Sequence, residues 1–196
     1  HEYSKFNASP KIERVSALVK LVGPDILLVH RLILHSVGLV SIGKQDLNGF
    51  QNLKHLNLSG NQIINIQGLN HLGSTLVHLD LSCNRISKIP SGAFKKLFNL
   101  KKLILAFNGI SSLETMSQMH GNQFKLEHLD VRSNEIKDLK NIQYLKGLVN
   151  LKVLLFQNAD KTGQNPICSN FHAIMRKQNT MRPPVNWRVY VQSILP

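Results

Sequence analysis

The sequence predicts a solenoid of the α/β class, in which about six short repeats stack so that their strands form one parallel sheet on the concave side. The first observation is an eleven-residue phrase, Leu-x-x-Leu-x-Leu/Val-x-x-Asn-x-Ile, which recurs four times with its asparagines 23, 24 and 26 residues apart. The second is that one copy cannot bury its own apolar face, so the copies must stack. The four copies are Leu53–Ile63, Leu76–Ile86, Leu100–Ile110 and Leu126–Ile136.

Each position of the phrase has a physical role. Leu56 and Leu58 alternate, as do their counterparts in the other copies, which puts both on the buried face of a short strand. Asn61 then meets a turn, where an inward amide bonds backbone groups that would otherwise be unpaired, so successive asparagines are expected to form a ladder. Ile63 returns to the core. With this period, the phrase resembles the leucine-rich repeat family.

Two degenerate copies flank the four. The upstream copy keeps the apolar frame between Val29 and Ile42 but has Val37 where asparagine belongs. The downstream copy begins at Leu151, and an insertion separates its strand from Asn165. Terminal repeats are expected to be atypical because they close the ends of the core. The predicted repeat region is therefore residues 29–168.

The segments outside the repeats are predicted to be caps. Residues 1–28 are predicted to form a helical N-terminal cap, with Ser9 before Pro10, then apolar residues at three-to-four spacing, and an end at Gly23-Pro24-Asp25. The alternative role for this helix is binding a separate partner. Residues 169–196 are predicted to be a C-terminal cap and basic tail.

The net charge of +13, from 24 basic and 11 acidic side chains, favours an acidic partner. The last acidic residue is Asp160, and only basic charges follow it, although a solvated basic end explains that run equally well. We expect an acidic protein partner, with nucleic acid as an unspecific alternative. We expect a monomer. We expect no membrane-spanning segment, because no apolar run is long enough to cross a bilayer.

Cysteine usage favours a cytoplasmic protein, since two cysteines cannot staple the caps of a secreted repeat protein. Two features favour secretion instead: the repeat containing Ile89–Phe94 is similar to those of extracellular proteins, and Asn57-Leu-Ser59 is a glycosylation sequon. However, Asn57 is predicted within a strand, where a glycan would block the concave face. A nuclear or secreted location is therefore less favoured.

The strand model predicts which side chains face the concave solvent. They form three columns that cross the strands, and the first column is almost wholly cationic or imidazole, which suits an acidic segment of a partner. Phe107 replaces the small residues found just before the other ladder asparagines, either as a binding anchor or to fill a local gap. The predicted partner-binding residues are Arg31, His55, His78, Asp80, Lys102, Phe107, His128, Asp130 and Arg132.

No enzyme, cofactor or metal site is predicted. His78, Asp80 and Ser82 supply the residue types of a catalytic triad, but they alternate along one strand, without converging loops or an oxyanion hole. His55 and His78 are expected on adjacent strands about 5 Å apart. Two histidines are too few for a structural zinc site, which needs about four ligands.

The closing Asn165-Pro-Ile-Cys168 resembles an intracellular class of these repeats, typified by the phosphatase 1 regulatory subunit and the spliceosomal A-prime protein. Residues 119–174, with their polar insertion, resemble the repeat region of centrosomal leucine-rich repeat and coiled-coil proteins. This resemblance implies a non-catalytic protein-interaction scaffold at the centrosome, cilium or cytoskeleton. The alternatives are a ribonucleoprotein scaffold that binds an RNA-binding protein or RNA, and a secreted or receptor-type repeat protein.

Overall fold

The computed structural model describes Val15, residues 23–158 and residues 162–169. Its concave strands, each three residues long, are β1 (Arg31–Ile33), β3 (His55–Asn57), β5 (His78–Asp80), β6 (Lys102–Ile104), β7 (His128–Asp130) and β8 (Val153–Leu155). They form one parallel sheet in that order, so each strand lies beside the strand of the next repeat. The predicted α/β solenoid with a parallel concave sheet is confirmed.

The other elements are short because each repeat has few residues left for its return path. Two two-residue strands, β2 (Ser41–Ile42) and β4 (Asn65–Ile66), pair in parallel. In the described part of the chain, the helices are three 3-10 helices and two α-helices of four residues. They are Gly23–Leu28, Leu69–Leu72 and Glu114–Met119, then Lys140–Gln143 and Pro166–Ser169.

The predicted caps lie mostly outside the described residues. Within the N-terminal segment 1–28, Val15 is helical and fully buried in the core. The predicted helix end at Gly23-Pro24-Asp25 instead opens a 3-10 helix, which is compatible with proline in a first helical turn. The tail after Ser169 is outside the described residues. The division into cap, repeats and tail therefore stays a prediction.

The register of the sheet matches the repeat phrase. The central leucines of neighbouring strands pair directly, as Leu56 does with Leu79 and Leu103 with Leu129. These four side chains are at most 1% exposed, and one continuous core runs from Val15 to Ile167. Burying a leucine fully contributes roughly 1.5–3 kcal/mol, so the inward row holds the solenoid together.

The predicted asparagine ladder is present. The Asn84 side-chain oxygen accepts a hydrogen bond from the Ile63 N–H at 3.0 Å, one repeat upstream. Its amide donates to the carbonyls of Leu58 and Leu81, both at 3.0 Å. Asn61, Asn108 and Asn134 repeat this pattern. Each asparagine therefore satisfies backbone groups of two successive repeats.

Both degenerate repeats are joined to this ladder. Asn165 is fully buried, accepts from the Ile136 N–H at 3.2 Å and donates to the Val131 carbonyl at 2.8 Å. The ladder therefore continues to Asn165, on the far side of the insertion. At the upstream end, Val37 has no side-chain amide, and the Asn61 oxygen accepts from the N–H groups of both Val37 and Leu39.

A second series of asparagines joins the repeats at the opposite end of the strands, which the sequence reading did not predict. Asn52, Asn99 and Asn150 each precede the first leucine of a strand phrase. Their amides donate to carbonyls of the preceding repeat at 2.7–2.8 Å, namely those of Leu27, Ser74 and Phe124. Both ends of the short strands are thus fastened between repeats.

The residue before each ladder asparagine has left-handed backbone geometry. In the four clear repeats its φ is +70° at Gly60, +53° at Cys83, +56° at Phe107 and +51° at Ser133. This conformation turns the chain from the strand into the buried asparagine. Small residues tolerate it best, so a phenylalanine there is strained relative to its counterparts.

Candidate interaction site on the concave face

The strand register aligns the outward side chains in columns, as the sequence predicts. The first column pairs Arg31 with His55, His55 with His78, and onward to Lys102, His128 and Val153. The second pairs Ile33, Asn57, Asp80, Ile104, Asp130 and Leu155 in the same way. Neighbouring strands lie about 4.8 Å apart, so the columns present side chains at regular intervals across the sheet.

The first column is a partly exposed row made of the first residue of each strand. Arg31 is exposed, whereas His55, His78, Lys102 and His128 are half-buried. The rings of His55 and His78 lie 5.9 Å apart between centroids and tilt by 53°. The predicted adjacency of these two histidines is therefore present, at slightly longer range than the sequence model expects.

Two histidines of this column, His78 and His128, have lowered pKa values. Burial lowers the pKa of His78, and the Lys102 ammonium lowers it further. Burial and the same ammonium also lower the pKa of His128. At neutral pH the fixed positive charges of the column are therefore Arg31 and Lys102. Acidification below about pH 6.5 adds charge, because lowered pKa values place protonation below the usual histidine range.

The polar side chains of the second column close turns that the sequence reading did not foresee. The Asp80 carboxylate accepts hydrogen bonds from the Ser82 N–H at 2.9 Å and the Ser82 hydroxyl at 2.7 Å. Asn57 accepts the same two bonds from Ser59, at 2.9 and 2.7 Å. The Asp80 carboxylate therefore shapes the end of its strand.

Asp130 holds Arg132 in the concave face through a fork-shaped ion pair. The guanidinium Nη2 lies 2.6 Å from one carboxylate oxygen, and Nε lies 3.0 Å from the other. Nη1 donates to Asn158 as well. Asp130 is only 3% exposed, so it contributes to the surface by fixing Arg132. The hydrogen bond from Arg132 to Asp130 raises the pKa of the guanidinium, which stays charged.

Phe107 lies at the carboxyl-end rim of the sheet, with 51% of its surface exposed. It therefore does not fill a gap in the core, which was the alternative reading of this residue. Other apolar side chains of the concave columns are also accessible, including Ile33 at 59% and Val153 at 39%. Ile104 and Leu155 are half-buried. The concave face thus combines fixed cations with apolar surface.

A hydrogen-bonded histidine at the upstream rim was missed by sequence reasoning. His35 Nδ1 lies 2.8 Å from the Ser59 hydroxyl, and His35 Nε2 lies 3.0 Å from the Ser36 hydroxyl. Since Ser59 donates to Asn57, it can accept from the imidazole. Ser59 belongs to the next repeat, 24 residues away. The available signal was that His35 and Ser59 occupy equivalent positions, two residues after Ile33 and Asn57, which pair in neighbouring strands.

The triad residue types on this face are connected differently from a catalytic triad. The Ser82 hydroxyl donates to a carboxylate, whereas a catalytic serine donates to an imidazole base. Across residues 23–158 and 162–169, no three metal-binding side chains lie together. No helix in the described ranges is long and apolar enough to cross a membrane.

Comparisons with known proteins agree with the geometry. A leucine rich repeat family model matches residues 74–136, and a model of two leucine rich repeats matches residues 51–96. Mouse podocan is 34% identical over 105 residues, covering 53% of this chain and 17% of podocan. An uncharacterized leucine-rich repeat-containing protein of Schizosaccharomyces pombe is 33% identical over 118 residues, covering 60% of this chain and 18% of that protein.

A solved structure of a leucine-rich repeat protein from Leptospira interrogans has a TM-score of 0.57 and 28% identity, covering 72% of this chain and 33% of that one. The chain spans less than a third of the length of the curated relatives it matches. The comparisons do not reach the finer intracellular subtype, which stays a prediction. The consensus, the strand register and these matches together show that this chain has a leucine-rich repeat fold.

Proposed function

We propose that this chain is a non-catalytic protein-interaction module that binds an acidic segment of a protein partner along its concave face. The observation that carries the proposal is the alignment of outward residues in columns, which fixes the cations Arg31, Lys102 and Arg132 on one rigid sheet. Extended concave surfaces of this kind are what solenoids present to their partners.

The cations differ in how much side-chain entropy they lose on binding and in whether an existing ion pair must be displaced. Arg132 is already oriented by Asp130, so little side-chain entropy remains to be lost when it binds a carboxylate. Lys102 occupies the middle of the first column between two mostly neutral histidines. A partner carboxylate can therefore approach Lys102 without displacing an existing ion pair.

The apolar residues of the face supply contact area. Phe107 and Ile104 belong to the same repeat as Lys102, and Leu155 lies two strands downstream of Ile104. Aromatic anchors beside charged groups are a common composition of binding hot spots. The partner segment is accordingly acidic with interspersed apolar side chains.

A cytoplasmic location, at the centrosome, cilium or cytoskeleton, is part of the proposal. It rests on the resemblance of residues 119–174 and on the cysteine usage of this chain, which has only two cysteines, Cys83 and Cys168. A glycan at Asn57 would favour the secreted alternative. That side chain is half-buried, and its oxygen already accepts two hydrogen bonds from Ser59. The intact mass of protein from mammalian cells distinguishes the two.

The test is proximity labelling in cells with the double variant Arg31→Glu/Lys102→Glu. Both side chains are outward, and neither is in a described ion pair, so the fold is preserved. Lys88→Glu/Lys137→Glu is the matched control, because both lysines are exposed and lie beyond the ladder turns. We expect the concave variant alone to lose a set of protein neighbours.

Two outcomes count against the proposal. If the concave variant still labels the same protein neighbours, the concave face is not the binding surface. Neighbours lost equally in the control variant show that net charge alone drives association. Loss of the same neighbours after nuclease treatment instead favours the ribonucleoprotein alternative.

A further inference from the structure

The amino ends of the concave strands carry a separate row of lysines. Backbone hydrogen bonds of 2.8–2.9 Å connect Lys54 to Val77, Val77 to Lys101, Lys101 to Glu127, and Glu127 to Lys152 across successive repeats. These five residues precede the first column and therefore form another column at the edge of the sheet. We define the lysine edge as the basic residues of this column, Lys54, Lys101 and Lys152, together with Lys125 and Phe98.

The lysine edge is accessible and strongly positive. Lys54 and Lys125 are exposed, and the side chains of Lys101 and Lys152 are 54% and 69% exposed. Glu127 is the one acidic residue of this column, and it already has two partners. Its oxygens lie 3.5 Å from the Lys101 ammonium and 2.8 Å from the Lys152 ammonium. Glu127 thus draws two cations together while leaving the edge positive overall.

An aromatic ring lies among these lysines. Phe98 is 41% exposed, and its other side packs on Phe124, with 5.1 Å between ring centroids. Its carbonyl accepts from the Lys125 N–H at 3.1 Å, and the Lys125 ammonium donates to Asn99 at 2.7 Å. The backbone and the ammonium of Lys125 are therefore both fastened beside the exposed ring.

We propose that the lysine edge binds single-stranded nucleic acid, with phosphates on the lysines and a base stacked on Phe98. Lysines alone suit an acidic peptide equally well. An exposed aromatic face among them favours nucleic acid, since every base has a π-face to stack and a carboxylate side chain has none. This site is distinct from the concave columns and does not rest on the proposed protein-binding function.

The dimensions set the length of the ligand. Lys54 and Lys152 are four strand steps apart, which is about 19 Å at the usual spacing of 4.8 Å. At about 3.4 Å per stacked nucleotide, this edge spans roughly six nucleotides. A twelve-residue oligouridylate is therefore long enough to occupy it, and too short to bridge many molecules.

The first experiment titrates the protein into fluorescein-labelled oligouridylate at several salt concentrations and follows anisotropy. Four lysine–phosphate contacts predict a slope of log affinity against log salt of about −2.8. Lys54→Gln/Lys125→Gln removes two contacts, so the slope should fall in magnitude by about 1.4. Lys88→Gln/Lys137→Gln, with the same loss of charge away from the edge, should leave it unchanged.

The second experiment isolates the aromatic ring. Phe98→Leu keeps an apolar side chain against Phe124 and removes the stacking face, so its melting temperature reports any loss of packing. We expect oligouridylate affinity to fall about fivefold or more with the slope unchanged. An oligoglutamate of equal charge should bind more weakly than oligouridylate and should not respond to this substitution.

The proposal is overturned by any of three results. Oligouridylate fails to bind at low salt, or the edge and control variants behave alike, or oligoglutamate binds as tightly with no effect of Phe98→Leu. The last result identifies an acidic-peptide surface instead. Since partner labelling is the readout of the concave variant and oligouridylate affinity that of the edge variants, the two proposals fail separately.

Discussion

The inward and outward side chains of the same strands follow different rules. Inward positions hold one residue type across the central repeats, as at Leu56, Leu79 and Leu103, and all are buried. Outward positions beside them vary from histidine to lysine in the first column and from aspartate to isoleucine in the second. Packing constrains the inward row, while the outward row is free to carry recognition.

The largest expected effect tests the inward row. Leu103→Ala leaves a cavity in the central repeat and should lower the free energy of unfolding by about 2–5 kcal/mol in urea titrations. Ile33→Ala is the outward control at 59% exposure and should change it by less than about 0.5 kcal/mol. Equal effects at the two positions would contradict the inward–outward assignment.

A second effect tests the ladder. Asn84→Ala leaves the buried Ile63 N–H without its side-chain acceptor and removes one of the two asparagine amides that donate to each of the Leu58 and Leu81 carbonyls. It should cost about 1–3 kcal/mol. The exposed Asn122→Ala provides the comparison. A melting temperature for Asn84→Ala that equals that of Asn122→Ala would remove the ladder as a source of stability.

A third test concerns Arg132, an outward residue that supports the fold through its ion pair with Asp130. Arg132→Ala leaves the buried Asp130 carboxylate without its guanidinium and should destabilise the chain by about 1–3 kcal/mol. Lys102→Ala, in the neighbouring repeat, should cost much less because no described ion pair holds it. If thermal unfolding shows no difference between them, the ion pair does not support the strand end.

A smaller effect of opposite sign is expected at Phe107. Phe107→Gly relieves the left-handed backbone at φ +56° and should stabilise the chain by up to about 1 kcal/mol. It should also weaken partner binding, because the exposed anchor is lost. Stabilisation together with unchanged binding would show that the side chain of Phe107 has no role in recognition and that the backbone strain at this position is merely tolerated.

The smallest effect is the pH dependence of the histidine column. The pKa values of His78 and His128 are lowered on folding, so the unfolded chain binds protons more readily and stability is lost as the pH falls below about 6.5. We expect His78→Gln/His128→Gln to flatten the change in unfolding free energy between pH 7.5 and 5.5. An unchanged slope would show that these two groups are not responsible.

The inward row and the strand register were predictable because the repeat phrase states them four times. The turn at Asp80 and the ion pair of Arg132 were not, since each depends on a side-chain rotamer that bonds two residues along the strand. His35 bonds Ser59 in the next repeat, and a shared column alone does not specify that contact. The exposure of Phe98 was not predictable from the sequence, because one side of its ring packs on Phe124 and the other side is exposed.

The most direct test of partner binding along the concave face is photo-crosslinking in cells from one outward position and one remote position. Benzoylphenylalanine replaces Phe107 on the concave rim or, in a separate protein, Ile64, which is 54% exposed beyond the ladder turn. We expect crosslinks to an acidic segment of a partner protein from position 107 and none to that segment from position 64. Crosslinks to the same partner from position 64 alone would contradict it.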